Sequence, residues 1–147
     1  LDYKRFRVWL AEKYAVKRAY LFIGLIPKYK DLYTYLQEVG FTLVFKETTY
    51  TTNGSVKGNC DADLVLQATR DYYEKHFDRA VLVTSDGDYA SMVKFFYENS
   101  RFATTLSPSN KCSILLKRIN APIVYLDTQK EIICTKNKKA PDADETA

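Results

Sequence analysis

Three observations predict an α/β chain, a three-layer α/β/α sandwich with a mostly parallel sheet between its helices. Short apolar segments rich in β-branched residues alternate about four times with stretches of helical periodicity, joined by short connections. Ala80-Val-Leu-Val83 is an uninterrupted apolar run, as expected for a strand covered on both faces. A length of 147 residues suits one domain with a sizeable core.

Each element can be justified in chain order. In residues 2–15, Phe6, Trp9, Leu10 and Tyr14 recur at helical spacing between lysines and arginines, an amphipathic helix with its aromatic stripe in the core. Ala19 to Ile23 is a strand closed by Gly24. Tyr29 to Val39 follows as a helix with Leu32, Leu36 and Val39 on one face and Gly40 as its stop. Phe41 to Phe45 is the next strand. Thr48 to Gly58 is polar and contains the tight-turn pair Asn53-Gly54, so a loop or small hairpin is expected.

From Asp61 to Lys75, Leu64, Val65, Ala68 and Tyr72 give a helix that packs on the sheet. Asp61 lies on that inward stripe, whereas Asp63 lies about 200° around the helix from it. The 80–83 strand comes next, then a helix from Tyr89 to Asn99 with Met92, Val93 and Phe96 inward. Phe102 to Leu106 is a further strand. Ser107-Pro-Ser-Asn110 opens a helix carrying Cys112, Leu115, Leu116 and Ile119. Ile123 to Leu126 is the last clear strand, with Ile132 and Ile133 as a weaker extension. Residues 136–147 lack periodicity and are expected to form a disordered tail behind a 1–135 domain.

Composition narrows the function classes. No apolar run approaches the length of about 18 residues that a membrane span requires, and the start carries no signal-peptide pattern. The net charge of +4 is compatible with a polyanionic partner but too small to identify one. Cys60, Cys112 and Cys134 are widely spaced and include no CxxC, which argues for free thiols, a reducing cytoplasmic compartment and no zinc site. The single His76 near the end of its helix favours dipole pairing over catalysis. Neither a Gly-rich phosphate loop nor a Gly-x-Ser-x-Gly elbow is present, so nucleotide-dependent or serine-hydrolase chemistry of those types has no support.

Chemistry concentrates where the 80–83 strand ends. Ser85-Asp86-Gly87-Asp88 places two carboxylates beyond the carboxyl end of a strand, where open α/β sheets collect ligands. Adjacent carboxylates repel unless a proton or a hard divalent cation lies between them. The same residues are also good turn and N-cap chemistry, and both readings stand on the motif alone. For Asp61 likewise, first-turn dipole pairing competes with a ligand role. A phosphatase or glycosyltransferase site of the DxD kind is a weaker third reading, because its further partners cannot be placed.

Two segments together resemble the NYN domain, the LabA-like branch of the PIN nuclease superfamily. Val56-Lys-Gly-Asn-Cys-Asp-Ala-Asp-Leu64 resembles the family's Lys-Gly-x-x-Asp at a helix start, and Val81-Leu-Val-Thr-Ser-Asp-Gly-Asp-Tyr89 resembles its Ser-Gly-Asp-x-Asp-Phe strand end. A serine-containing helix (Ser113 to Ile119) and an Ile-Val-Tyr-Leu-Asp strand follow in the family's order, so the likeness covers residues 3–134. It implies a Rossmann-like, PIN-like fold and a metal-dependent ribonuclease. Asp61, Asp86 and Asp88 would be the catalytic and metal-binding acids, with Mg2+ or Mn2+ as cofactor and RNA as substrate. Asp63 would be a neighbouring acid. Lys57 and Lys111, on loops expected to flank the acids, are candidates for contact with the RNA backbone or else solvated surface lysines, Ser113 is a further candidate contact, and Tyr89 would either stack on a base or pack at its helix start. No membrane is implied, and a homodimer is compatible.

Two departures qualify the likeness. Ser85 stands where the family usually has glycine. The sequence starts at the helix that follows the family's opening strand, which ends in an aspartate, so that strand either lies ahead of Leu1 or is absent from a degenerate member. The second departure keeps an alternative open, a catalytically inactive RNA- or protein-binding module of the same fold.

Overall fold

A computed structural model describes residues 1–50, 52–53, 56–57 and 59–134, with Tyr50, Val56 and Lys57 described by backbone alone. The expected tail, 136–147, lies outside the described residues, as do Gly54 and Gly58. In chain order the elements are α1 (Tyr3–Tyr14), β1 (Ala19–Gly24), α2 (Lys30–Glu38), β2 (Phe41–Lys46), β3 (Thr49–Tyr50), β4 (Val56–Lys57) and α3 (Asp61–Tyr73). They continue as β5 (Ala80–Val83), α4 (Ala90–Glu98), β6 (Phe102–Ser107), α5 (Ile114–Lys117), β7 (Ile123–Tyr125) and α6 (Lys130–Ile133). The chain divides into two compact units, one of residues up to Leu64 together with those from Glu131, the other Val65–Lys130.

In the first unit, β1 and β2 pair in parallel from Ala19 opposite Phe41 to Gly24 opposite Lys46, with α2 as the crossover between them. Parallel neighbours need such a crossover, and the apolar side chain of Leu36 on α2 is fully buried. Asp2 caps α1 by accepting from the Arg5 N–H at 3.1 Å, and Phe6, Trp9 and Leu10 supply its buried face, as their spacing requires. The Arg7 guanidinium then ties the helix to two turns, donating to the carbonyls of Gly40, Val16 and Lys17. Gly40 sits at φ 107°, a conformation side-chain-bearing residues avoid, which explains the glycine after α2. β3 and β4 form a small antiparallel hairpin, Thr49 opposite Lys57.

The second unit is a three-stranded parallel sheet in the order β5-β6-β7. Its core is built from Leu82, Val93, Phe96, Leu106 and Leu116, the apolar faces of alternating strands and helices. Tyr72 of α3 stacks on Phe96 with centroids 5.6 Å apart. Thr104 on β6 is buried without leaving its hydroxyl stranded, since it donates to the carbonyls of Thr105 and Pro122. All three strands run the same way, so Thr84–Asp88, Ser107 and Asp127 share the carboxyl edge of this sheet.

The α/β class and the parallel pairing agree with the sequence reading. Two local expectations do not. Ile132 and Ile133, read as strand, lie in the short helix α6, entered from a 3-10 turn over Leu126–Gln129. The helix expected to open at Ser107–Asn110 starts later, at Ile114. Its first turn is fixed instead by Ser113, whose Oγ accepts from the Leu115 N–H at 3.2 Å and whose N–H donates to the Ser85 carbonyl.

Candidate metal centre

The turn after β5 is held by its own backbone. The Asp86 N–H donates to Thr84 Oγ1 at 3.1 Å, and Asp86 Oδ1 accepts from the Asp88 N–H at 2.8 Å, closing an Asx turn that caps the 3-10 segment Gly87–Tyr89. Gly87 is needed here for space. A Cβ at this position would run into Ser113 Oγ and meet Leu115 Cδ1 at 3.0 Å. The turn is therefore pressed against the start of α5, which fixes where its carboxylates project. Asp86 and Asp88 are both exposed, and their carboxylate oxygens approach within 4.8 Å of each other.

That donor set suits a hard divalent cation. It offers only carboxylate oxygens, and the one N–H that Asp86 accepts leaves most of its acceptor capacity available. Cap chemistry and ligand chemistry are thus compatible in the same residue. The capping bond orients Asp86 without consuming it.

Asp61 opens α3, half-buried, in the first unit. Its N–H donates to Asn59 Oδ1 at 2.8 Å, and the Leu64 N–H donates to the Cys60 carbonyl, so the first turn of α3 is fixed from outside the helix. Asp63 in the same turn has an ion pair with Lys46, Nζ to Oδ2 3.6 Å. Burial pushes the Cys60 thiol up, and the nearby carboxylates of Asp63 and Asp61 push the same way against the opposing charge of Lys46.

The remaining expected site residues fall as follows. Lys111 is exposed on the loop ahead of α5, its N–H donating to Ser109 Oγ. Ser113 packs against Gly87. Lys57 lies in β4, and its side chain is outside the described atoms. Tyr89 is buried, which resolves the choice between base stacking and packing in favour of packing. The three cysteines are free, Cys112 buried and the other two half-buried. No helix among the described residues is long and apolar enough to cross a membrane.

Two carboxylates were given no role in the sequence reading, although Asp127 closes the Ile-Val-Tyr-Leu-Asp strand noted there. Asp71, on α3, is buried yet satisfied, Oδ1 accepting from Gln67 Nε2 at 2.9 Å and facing His76 Nδ1 at 3.3 Å. Its place seven residues after Leu64, on the inward stripe, was the available signal. Asp127, just beyond β7, has an Oδ1 shielded from water and without a hydrogen-bond partner among the described residues. The apolar Ile123-Val-Tyr-Leu126 run ahead of it marks a strand end, as the 80–83 run does for Asp86.

The NYN domain signature matches residues 1–120. The chain belongs to the NYN domain family. Membership places it in the PIN-like nuclease superfamily, whose members are generally metal-dependent, and the exposed acids at the β5 edge fit that chemistry. The NYN chain is also similar to a solved structure from Vibrio parahaemolyticus RIMD 2210633, VPA0982, described as a protein of unknown function. The two are 26% identical, with a TM-score of 0.68, covering 86% of this chain and 78% of that one. No curated protein matches the sequence.

Proposed function

We propose that this NYN domain is a metal-dependent ribonuclease of the LabA-like kind, in which Asp61, Asp86 and Asp88 jointly hold Mg2+ or Mn2+. The observation that carries the reading is the Asp86–Asp88 turn, two exposed carboxylates within 4.8 Å of each other, oriented by backbone hydrogen bonds. Family membership supports it, as does the Lys57-Gly-Asn-Cys-Asp61 segment at the start of α3. A cation held there would supply positive charge to the phosphoryl oxygens and acidify an attacking water.

The protein's own residues do the rest. The Asx turn and the contact of Gly87 with Ser113 keep the acids in place without rearrangement, so little ordering remains to be done when substrate arrives. Lys57 and Lys111 meet the RNA backbone as point charges. The Ser113 hydroxyl accepts from the Leu115 N–H through its oxygen and keeps its proton for a phosphate oxygen. RNA as the partner follows from the superfamily, a cytoplasmic setting from the three free thiols.

The test is RNA cleavage in Mn2+, in EDTA, and in the Asp86→Asn variant. Cleavage in Mn2+ alone, abolished by chelation and by the substitution, is the expected result. A protein that binds RNA with salt-dependent affinity and cuts none in Mn2+ returns the inactive-module reading.

A further inference from the structure

Lys46 is the last residue of β2, and its ammonium faces the first turn of α3. Nζ donates to the Asn59 carbonyl at 2.6 Å and pairs with Asp63 Oδ2 at 3.6 Å. Asn59 in turn accepts the Asp61 N–H through its side chain at 2.8 Å. A continuous chain of polar contacts thus runs from the end of a strand to the backbone of the proposed ligand Asp61.

Asp63 shows why a cation is needed at this point. Its Oδ2 is shielded from water and makes no hydrogen bond among the described residues, although 45% of the side chain as a whole is exposed. A carboxylate oxygen withdrawn from water requires a compensating charge, and Lys46 is the cation paired with it. Asp63 in this way has its charge met at the turn itself.

We propose that Lys46 is a positioning residue of the metal centre. Through Asn59 it fixes the turn that presents Asp61, and through Asp63 it keeps the second acid of that turn out of the ligand set. The inference rests on the metal-binding reading above and gives Asp63 a role that its spacing alone did not.

The experiment is a calorimetric titration with Mn2+ of the wild type and of Lys46→Met, Lys46→Arg, Asn59→Ala and Asp61→Asn, with melting temperatures taken in EDTA. Lys46→Met and Asn59→Ala are expected to weaken Mn2+ binding by roughly 10- to 100-fold, the range for residues that orient metal ligands. The metal-free melting temperature should stay close to wild type, and Lys46→Arg should recover most of the affinity. Wild-type Mn2+ affinity in both Lys46→Met and Asn59→Ala overturns the proposal, as does a loss confined to RNA affinity, which would make Lys46 a phosphate contact. Should Lys46→Met fail to fold, Asn59→Ala and Lys46→Arg decide alone. A wild type that binds no Mn2+ overturns the metal reading itself, a result seen before any variant is compared.

Discussion

Two carboxylate groupings in the second unit have nearly the same ingredients and opposite character. Asp71, Glu74 and His76 bring ligand atoms within 4.8 Å of one another at the end of α3, as close as Asp86 and Asp88 come after β5. In the first grouping the central acid is buried, and its charge is met by Gln67 and by the ring of His76. In the second, both acids are exposed, and the Asp88 N–H that Asp86 accepts orients a carboxylate without neutralising it. Proximity of acids therefore does not separate a site from a strut. What separates them is whether the protein has already answered the charge.

The largest expected difference follows directly. Asp86→Asn removes a negative charge from the proposed metal site, and cleavage in Mn2+ should fall by several orders of magnitude with the melting temperature nearly unchanged. Asp71→Asn should leave cleavage at wild-type level. Equal losses in the two variants, measured by RNA turnover under the same conditions, would erase the distinction between the groupings.

Stability should not separate the groupings in that way. Asp71→Ala removes a buried side chain together with its bonds to the half-buried Gln67 and the exposed His76, a loss of about 1 kcal/mol and a few degrees in melting temperature. Asp86→Ala, at an exposed turn, loses one capping bond, about 1 kcal/mol. Thermal melts of the two variants in EDTA compare the two losses.

Gly87→Ala addresses how the exposed pair is held. The added methyl meets Ser113 Oγ and Leu115 Cδ1, a forced overlap that costs about 1 to 2 kcal/mol and shifts the Asp86 turn. Mn2+ affinity should fall with stability. In a Ser113→Ala background the hydroxyl is gone, and part of both losses should return.

The same contrast shows what can be read from the chain alone. The strand ending at Val83 and the acids beyond it were legible because a continuous apolar run stops where polarity begins, although the burial expected on both faces holds for Leu82 alone and Val83 is exposed. Asp71 was hidden because helical periodicity shows in apolar residues, and a paired carboxylate on the inward face breaks that pattern without breaking the helix. The start of α5 was misplaced for another reason. Ser107, Ser109 and Ser113 all have cap chemistry, and the choice among them is made by a tertiary hydrogen bond, the Ser113 N–H to the Ser85 carbonyl. Ile132 and Ile133 read as strand by their β-branched side chains, yet their segment continues a helical turn begun at Leu126.

The smallest predicted effect separates the two duties of Ser113. Ser113→Ala removes the cap on α5, worth about 1 kcal/mol, and also the hydroxyl proton proposed to meet a phosphate. Ser113→Asp keeps a cap acceptor but places a negative charge where RNA would pass. If the residue both caps and contacts substrate, the alanine variant melts lower and binds RNA a few-fold more weakly, while the aspartate variant melts near wild type and binds more weakly still. An aspartate variant with wild-type RNA affinity would leave Ser113 with the cap alone, and would move the RNA path away from the Gly87 turn toward Lys111.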